Sequence, residues 1–187
     1  MEAALDAALI VFRERGYHAA SLADLCEAMK LTPGSVYKAF ADKRAVFLAA
    51  FDRYKAVREG EIRAAIAPAA TGFAKIEALL RSYAELSHDE EGRRGCLVTG
   101  SAVELAIFDP QMAEKVAAAV ARIEILLREL IRDGVADGSI DASVDADAAA
   151  AHLLCVLQGF RVVGKIGRDR TYMMAAVDQA LLALPRP

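Results

Sequence analysis

Near the amino end, residues 30–44 carry four cations, Lys30, Lys38, Lys43 and Arg44, against one acid, Asp42. This stretch is +3 in a chain whose formal net charge is −3. Asp42 has the character of a helix cap, which puts Lys43 and Arg44 in the first turn of the helix that follows. Cations there oppose the helix dipole, at roughly 0.3–1 kcal/mol each. A broken local rule often marks a functional site, and a phosphate docked at that helix start would reverse the sign of the effect. Thr32-Pro33-Gly34-Ser35 offers the same chemistry. Thr suits the N-cap and Pro the first helical position. The bare amides beyond them, one on Gly34, let an anion come close. The chemistry in view is phosphate binding.

The elements that must present these groups follow from apolar spacing. Leu5, Ala8, Leu9 and Phe12 form one helical stripe, which Gly16 ends. Ser21 caps a second helix through Asp24, carrying Leu22, Leu25, Cys26 and Met29. Pro33 to Phe40 is a third, and Asp42 opens a fourth with Val46, Phe47, Ala50, Phe51 and Tyr54. Helices over 21–30 and 33–40, joined by a short turn, make a helix-turn-helix. If Val36 and Phe40 pack inward, Ser35, Tyr37 and Lys38 point outward. Tyr37 and Lys43 then hold phosphates, which position a protein on a duplex. Ser35 and Lys38 are placed to reach base edges in the major groove. Taken singly, Tyr37 reads equally well as a packing residue, and Lys43-Arg44 as a solvated pair. The combination points to DNA.

The segment ALIVFRERGYHAASLADLCEAMKLTPGSVYKAFADKRAVFLAAF, Ala8 to Phe51, resembles the DNA-binding region of the TetR family of transcriptional regulators. Phe12, Gly16, Ser21, Leu25, Gly34, Val36, Tyr37, Phe40 and Lys43 carry the resemblance. It implies a homodimer, a helical ligand-binding domain, and repression of transcription relieved by a small organic effector. It places Ser21, Thr32, Pro33, Gly34, Ser35, Tyr37 and Lys38 on or beside the recognition element. Lys43 falls on the family's phosphate-contacting lysine. Ala20 departs from a common hydroxyl residue and Ala39 from a larger polar one, which bears on the operator sequence rather than the fold.

Composition agrees with this reading. At 187 residues and 20.0 kDa the chain makes one large or two small domains. With 23 Lys plus Arg against 26 Asp plus Glu, it is no general coater of nucleic acid. Hydrophobic residues are 56%, rich in Ala, with only five prolines, which predicts an all-α protein. The expected division is a helix-turn-helix DNA-binding domain over 1–47 and a helical effector-binding and dimerisation domain over 48–187. The longest uncharged apolar run, 148–160, is 13 residues, short of the ~20 a membrane span needs. The acidic Glu2 and Asp6 do not suit a signal peptide, so a cytoplasmic protein is expected. Three cysteines and three histidines show no disulfide framework or metal spacing. No cofactor is expected, and no catalytic set is visible, although a thiol-dependent enzyme using Cys96 is an alternative. Gly159 to Lys165 imitates a nucleotide-binding loop, but Ile166 replaces the magnesium-binding hydroxyl and no strand precedes it.

Further helices are expected near 72–87, 96–107, 110–133, 146–166 and 171–184, with a charged loop over 88–95. The last two look apolar on more than one side, which demands burial. A partner subunit is the natural cover, through Leu153, Leu157, Phe160, Val163, Met173, Val177 and Leu181. The resemblance implies the same two-fold pairing into a four-helix bundle, hence a near-palindromic operator. Polar groups in apolar helices, Tyr83, Thr99, Ser101, Glu104, His152 and Gln158, together with Cys96 and Met112, are the expected effector pocket. Cys96 follows Arg93 and Arg94 at a helix start, a setting that favours the thiolate. The stretch GCLVTGSAVELA also resembles one found in TetR-type regulators, some of which sense electrophiles through this cysteine.

Overall fold

A computed structural model describes residues 1–187 as ten α-helices, with no strand. They run α1 Glu2–Ala19, α2 Leu22–Met29, α3 Pro33–Ala39, α4 Lys43–Ile66, α5 Gly72–Glu85, α6 Asp89–Arg94, α7 Leu97–Glu104, α8 Pro110–Ala136, α9 Ala146–Lys165 and α10 Arg170–Leu181. The all-α expectation holds. One correction concerns residues 88–95, expected as a loop. Acids Asp89, Glu90 and Glu91 open a short helix there and Arg93 and Arg94 close it, an arrangement that complements the helix dipole.

The chain divides into two compact units: Met1–Glu59 with Cys96–Val116, and Gly60–Gly95 with Ala117–Pro187. The unit that holds the helix-turn-helix thus reaches past the 1–47 expected for it, and takes in α7 and the start of α8. The reason is local packing. Phe12 meets Phe47 edge-on at 4.9 Å, and Tyr17 meets Phe47 at 5.0 Å. Ala8, Leu25, Val36, Val46, Ala50 and Phe51 fill the space around them. α7 lies against α1. The regular helix of α1 ends at Gly16, as expected. Gly16 breaks it with φ 79° and ψ 172°, and one more turn follows through Ala19.

In the second unit Ile76, Leu79, Leu80, Leu127, Ile131, Leu153, Leu157, Phe160, Met173 and Val177 form one core. This corrects the expected dimer surface. Leu153, Leu157, Met173 and Val177 have no exposure and Phe160 only 3%. Val163 and Leu181 pack against the same core. The most apolar side of each helix faces its own protomer; of the seven, only Val163 and Leu181, both half-buried, keep surface of their own. Gly164 lets α9 approach the end of α5: an added Cβ would lie 2.2 Å from the Ser87 carbonyl oxygen. By length and composition α9 is apolar enough to cross a membrane, but a core helix passes the same test, and its Leu153, Leu157 and Phe160 are core.

Candidate nucleic-acid interface

Three local devices build the exposed face of α2 and α3. Ser21 and Asp24 form a full capping box: the Asp24 amide donates to the Ser21 hydroxyl, and the Ser21 amide to the Asp24 carboxylate at 2.9 Å. The Ser21 hydroxyl and amide hold the Asp24 carboxyl below its ordinary value. Lys30 closes α2 in the left-handed region, φ 54°, donating its amide to the Cys26 and Glu27 carbonyls. Thr32 opens α3, its hydroxyl accepting from the Ser35 amide at 3.2 Å. Val36 is buried and Phe40 half-buried. That leaves Thr32, Pro33, Gly34, Ser35, Tyr37 and Lys38 exposed, as expected, with Tyr37 56% exposed. A Cβ added at Gly34 would meet nothing within 4 Å, so an anion or a groove wall has open access to that backbone.

The two cations at the start of α4 are less free than the sequence suggests. Asp42 caps the helix, accepting from the Ala45 amide at 2.7 Å. The Lys43 ammonium donates to the Tyr17 carbonyl at 2.9 Å and the Ala20 carbonyl at 3.0 Å, and lies 4.4 Å from the centre of the Tyr17 ring. An ammonium has three donors, and these carbonyls take two of them. Arg44 turns away from such a role. It grips Asp109 with two bonds, 2.9 and 3.0 Å, and Gln111 with a third at 2.8 Å. Burial works against the Asp109 charge, but the Met112 amide and the Arg44 guanidinium hold its carboxyl below the ordinary value. The dipole conflict read from sequence is thus met by carbonyls for Lys43 and by a carboxylate for Arg44.

The expected pocket residues separate. Cys96, Thr99, Ser101, Glu104 and Met112 belong to the unit that holds α2 and α3, and Tyr83, His152 and Gln158 to the other. Ser101 and Met112 are buried, Tyr83, Cys96, Thr99 and Gln158 half-buried, and His152 exposed. The Ser101 hydroxyl is buried with no protein hydrogen-bond partner. Glu104 departs furthest from expectation: its carboxylate accepts the amides of Tyr17 at 3.0 Å and His18 at 2.7 Å. Two residues escaped the sequence reading. Arg161 is buried, donating to the Leu86 carbonyl at 2.7 Å and lying over Tyr83. Its signal was a charge inside an apolar helix. His88 is held between Glu85 at 3.0 Å and Asp89 at 2.7 Å. The Glu85 bond, then Asp89, raises its pKa. Glu85, also gripped by Arg170, is lowered to about 2. No group of His, Cys, Asp or Glu is arranged to hold a metal.

Two family models match the chain: the tetR family of bacterial regulatory proteins over residues 4–50, and the tetracyclin repressor-like C-terminal domain over 72–180. A solved structure of the TetR family transcriptional regulator CifR, a cysteine-substituted form complexed with a 26-base-pair double-strand operator DNA, is 32% identical. That likeness covers 99% of this chain and 96% of CifR, with a TM-score of 0.88. The HTH-type transcriptional repressor ComR of Escherichia coli K12 is 26% identical over 98% of this chain and 88% of its own. A TetR transcriptional regulator from Chloroflexus aurantiacus, 24% identical, shares the fold over 96% of this chain and 90% of its own, with a TM-score of 0.87.

Proposed function

Since this chain belongs to the TetR family of transcriptional regulators, we propose that it represses transcription as a homodimer on a near-palindromic DNA operator and is released by a small organic effector. The observation that carries the DNA contact is the exposed α3 face, together with the Lys43 ammonium held at the Ala20 carbonyl just before α2. Ser35 and Lys38 read base edges; Tyr37, Lys43, Ser21 and Thr32 engage phosphates, with Pro33 and Gly34 shaping the approach. The neighbour CifR, crystallised on operator DNA, supports the same use of this fold.

The dimer face is the outward side of α9. Ala151, Cys155, Val162 and Ile166 are exposed there, with Gly159 half-exposed between them, and none carries a charge. Tyr172 and Leu182 extend the apolar exposure to α10. A contiguous uncharged strip of this kind is what a two-fold partner buries. The effector lies among Cys96, Thr99, Ser101 and Met112, where the buried Ser101 hydroxyl has no protein partner. The protein acts in the cytoplasm, with no membrane partner, no cofactor and no catalysis.

A second reading, release by electrophiles, is favoured by the Cys96 thiol standing half-buried at the N-cap of α7, the helix that ends at Glu104. Cys96→Ser abolishes release by electrophiles under this reading; unchanged release removes it. The main reading is tested by selecting duplexes from a random library with the wild-type protein. A two-fold symmetric consensus, bound with an affinity that falls steeply with salt, is expected. Recovery of no consensus, or binding indifferent to salt, would contradict it.

A further inference from the structure

Lys43 can meet a phosphate in one geometry only if the two carbonyls that hold its ammonium are themselves held. One of them belongs to Tyr17, in the turn that follows the break in α1. That break costs backbone bonding: amides just beyond it lose their helical acceptors. Glu104, at the end of α7, supplies the replacement, with one carboxylate oxygen on the Tyr17 amide and the other on the His18 amide. The same peptide-bearing residue therefore donates its N–H to Glu104 and accepts from Lys43 at its C=O. Bonds from amides to a carboxylate are short and roughly twice as strong as neutral ones. Gly16 is matched to this arrangement on two counts. Its φ of 79° suits glycine, and a Cβ there would lie 2.8 Å from Glu104 Oε2. The Tyr17 ring, edge-on to Phe47 and beneath the Lys43 ammonium, fixes the residue from its other side.

We propose that Glu104 is a positioning residue for DNA binding: through the Tyr17 backbone it sets the Lys43 ammonium for a phosphate of the duplex, and so makes the placement of α7 felt at the DNA. This rests on the reading of Lys43 as a phosphate contact. It replaces the expectation that Glu104 lines an effector pocket.

The test is a double-mutant cycle read by binding to an arbitrary-sequence duplex at low salt, where phosphate contacts dominate. Glu104→Gln keeps the shape but turns an amide NH₂ toward an N–H donor. It is expected to weaken binding by about tenfold, within the range that remote positioning residues show, with helicity and dimerisation unchanged. Combined with Lys43→Ala, it is expected to add nothing beyond Lys43→Ala alone, because the two act through one contact. A merely structural role for Glu104 would make the two losses add. Glu104→Asp, which keeps the charge but shortens the reach, runs the same cycle if the Gln variant does not fold. Wild-type binding by Glu104→Gln, or additive losses, would overturn the proposal while leaving the repressor reading intact. Wild-type binding by Lys43→Ala would overturn both the Lys43 assignment and this inference.

Discussion

Within each of the two compact units, apolar burial and directed polar bonds are weighted differently. In the unit of Gly60–Gly95 and Ala117–Pro187, helices meet through an apolar core in which Ile76, Leu79, Leu80, Leu127, Ile131 and Leu153 are fully buried, with polar ties such as Arg161 to the Leu86 carbonyl and Arg81 to Asp178 around it. In the unit of Met1–Glu59 and Cys96–Val116, a smaller core is supplemented by directed polar bonds between distant segments. Glu104 holds Tyr17 and His18, Arg44 grips Asp109, Lys115 bonds Asp52 at 2.8 Å, and Arg53 bonds Asp6. Apolar burial is strong but has no direction, whereas a carboxylate on two amides fixes position. A surface that must present hydroxyls and one ammonium to a duplex needs the second kind of bond.

The comparison breaks first at the core. Leu153→Ala should cost about 2–5 kcal/mol of stability in urea unfolding, while the folded fraction binds DNA as before. A small stability loss, or a loss of affinity in the folded protein, would blur the division. Lys43→Ala should do the reverse: binding weakens alike on all sequences and the slope of log affinity on log salt becomes shallower by about one, with melting little changed. Lys38→Ala sharpens the picture within the DNA face. It should relax the preference at one base position by about 1–3 kcal/mol, seen as a changed consensus on reselection. An unchanged consensus would take direct readout away from Lys38.

The smallest effect concerns the charge cluster of the other unit. The pKa of His88 is raised by Glu85 and Asp89, so its contribution to stability is fully present below its unfolded value of about 6.5 and is lost as pH rises through its folded value. Glu85, near 2, stays ionised throughout that window. The melting temperature should therefore fall gently as pH rises above about 6.5, and His88→Gln should flatten that part of the profile. An unchanged slope in the variant would assign the dependence to other groups.

What could be read from the sequence follows the same division. Capping signals are local, and Ser21 with Asp24, Thr32 with Pro33, and Asp42 all act as their types predict. Period and charge placed α3 and its outward residues. Long-range polar partners leave no periodic trace. Glu104 and Tyr17 are 87 residues apart, Arg44 and Asp109 are 65, and nothing in spacing links them. For that reason Arg44 read as an uncommitted cation and Glu104 as a pocket group. Leu153, Leu157 and Phe160 were misassigned for a different reason: apolar periodicity identifies the side of a helix that is covered, not which chain covers it. The side that stays exposed carries the milder strip of Ala151, Cys155 and Val162, which contrasts less with its neighbours. The expected loop at 88–95 hid a helix because its charges, arranged to suit the dipole, read as solvent-loving alone.

The central claim is that the α2–α3 face, with Lys43 beside it, is where the duplex lies. Backbone hydrogen exchange of the full chain, followed by mass spectrometry with and without a selected duplex, tests it directly. The expected result is slowed exchange over residues 32–38 and around 17–21, with α9 and α10 unaffected. Protection confined to the second unit, or unchanged exchange over 32–38 on a saturating duplex, would contradict it.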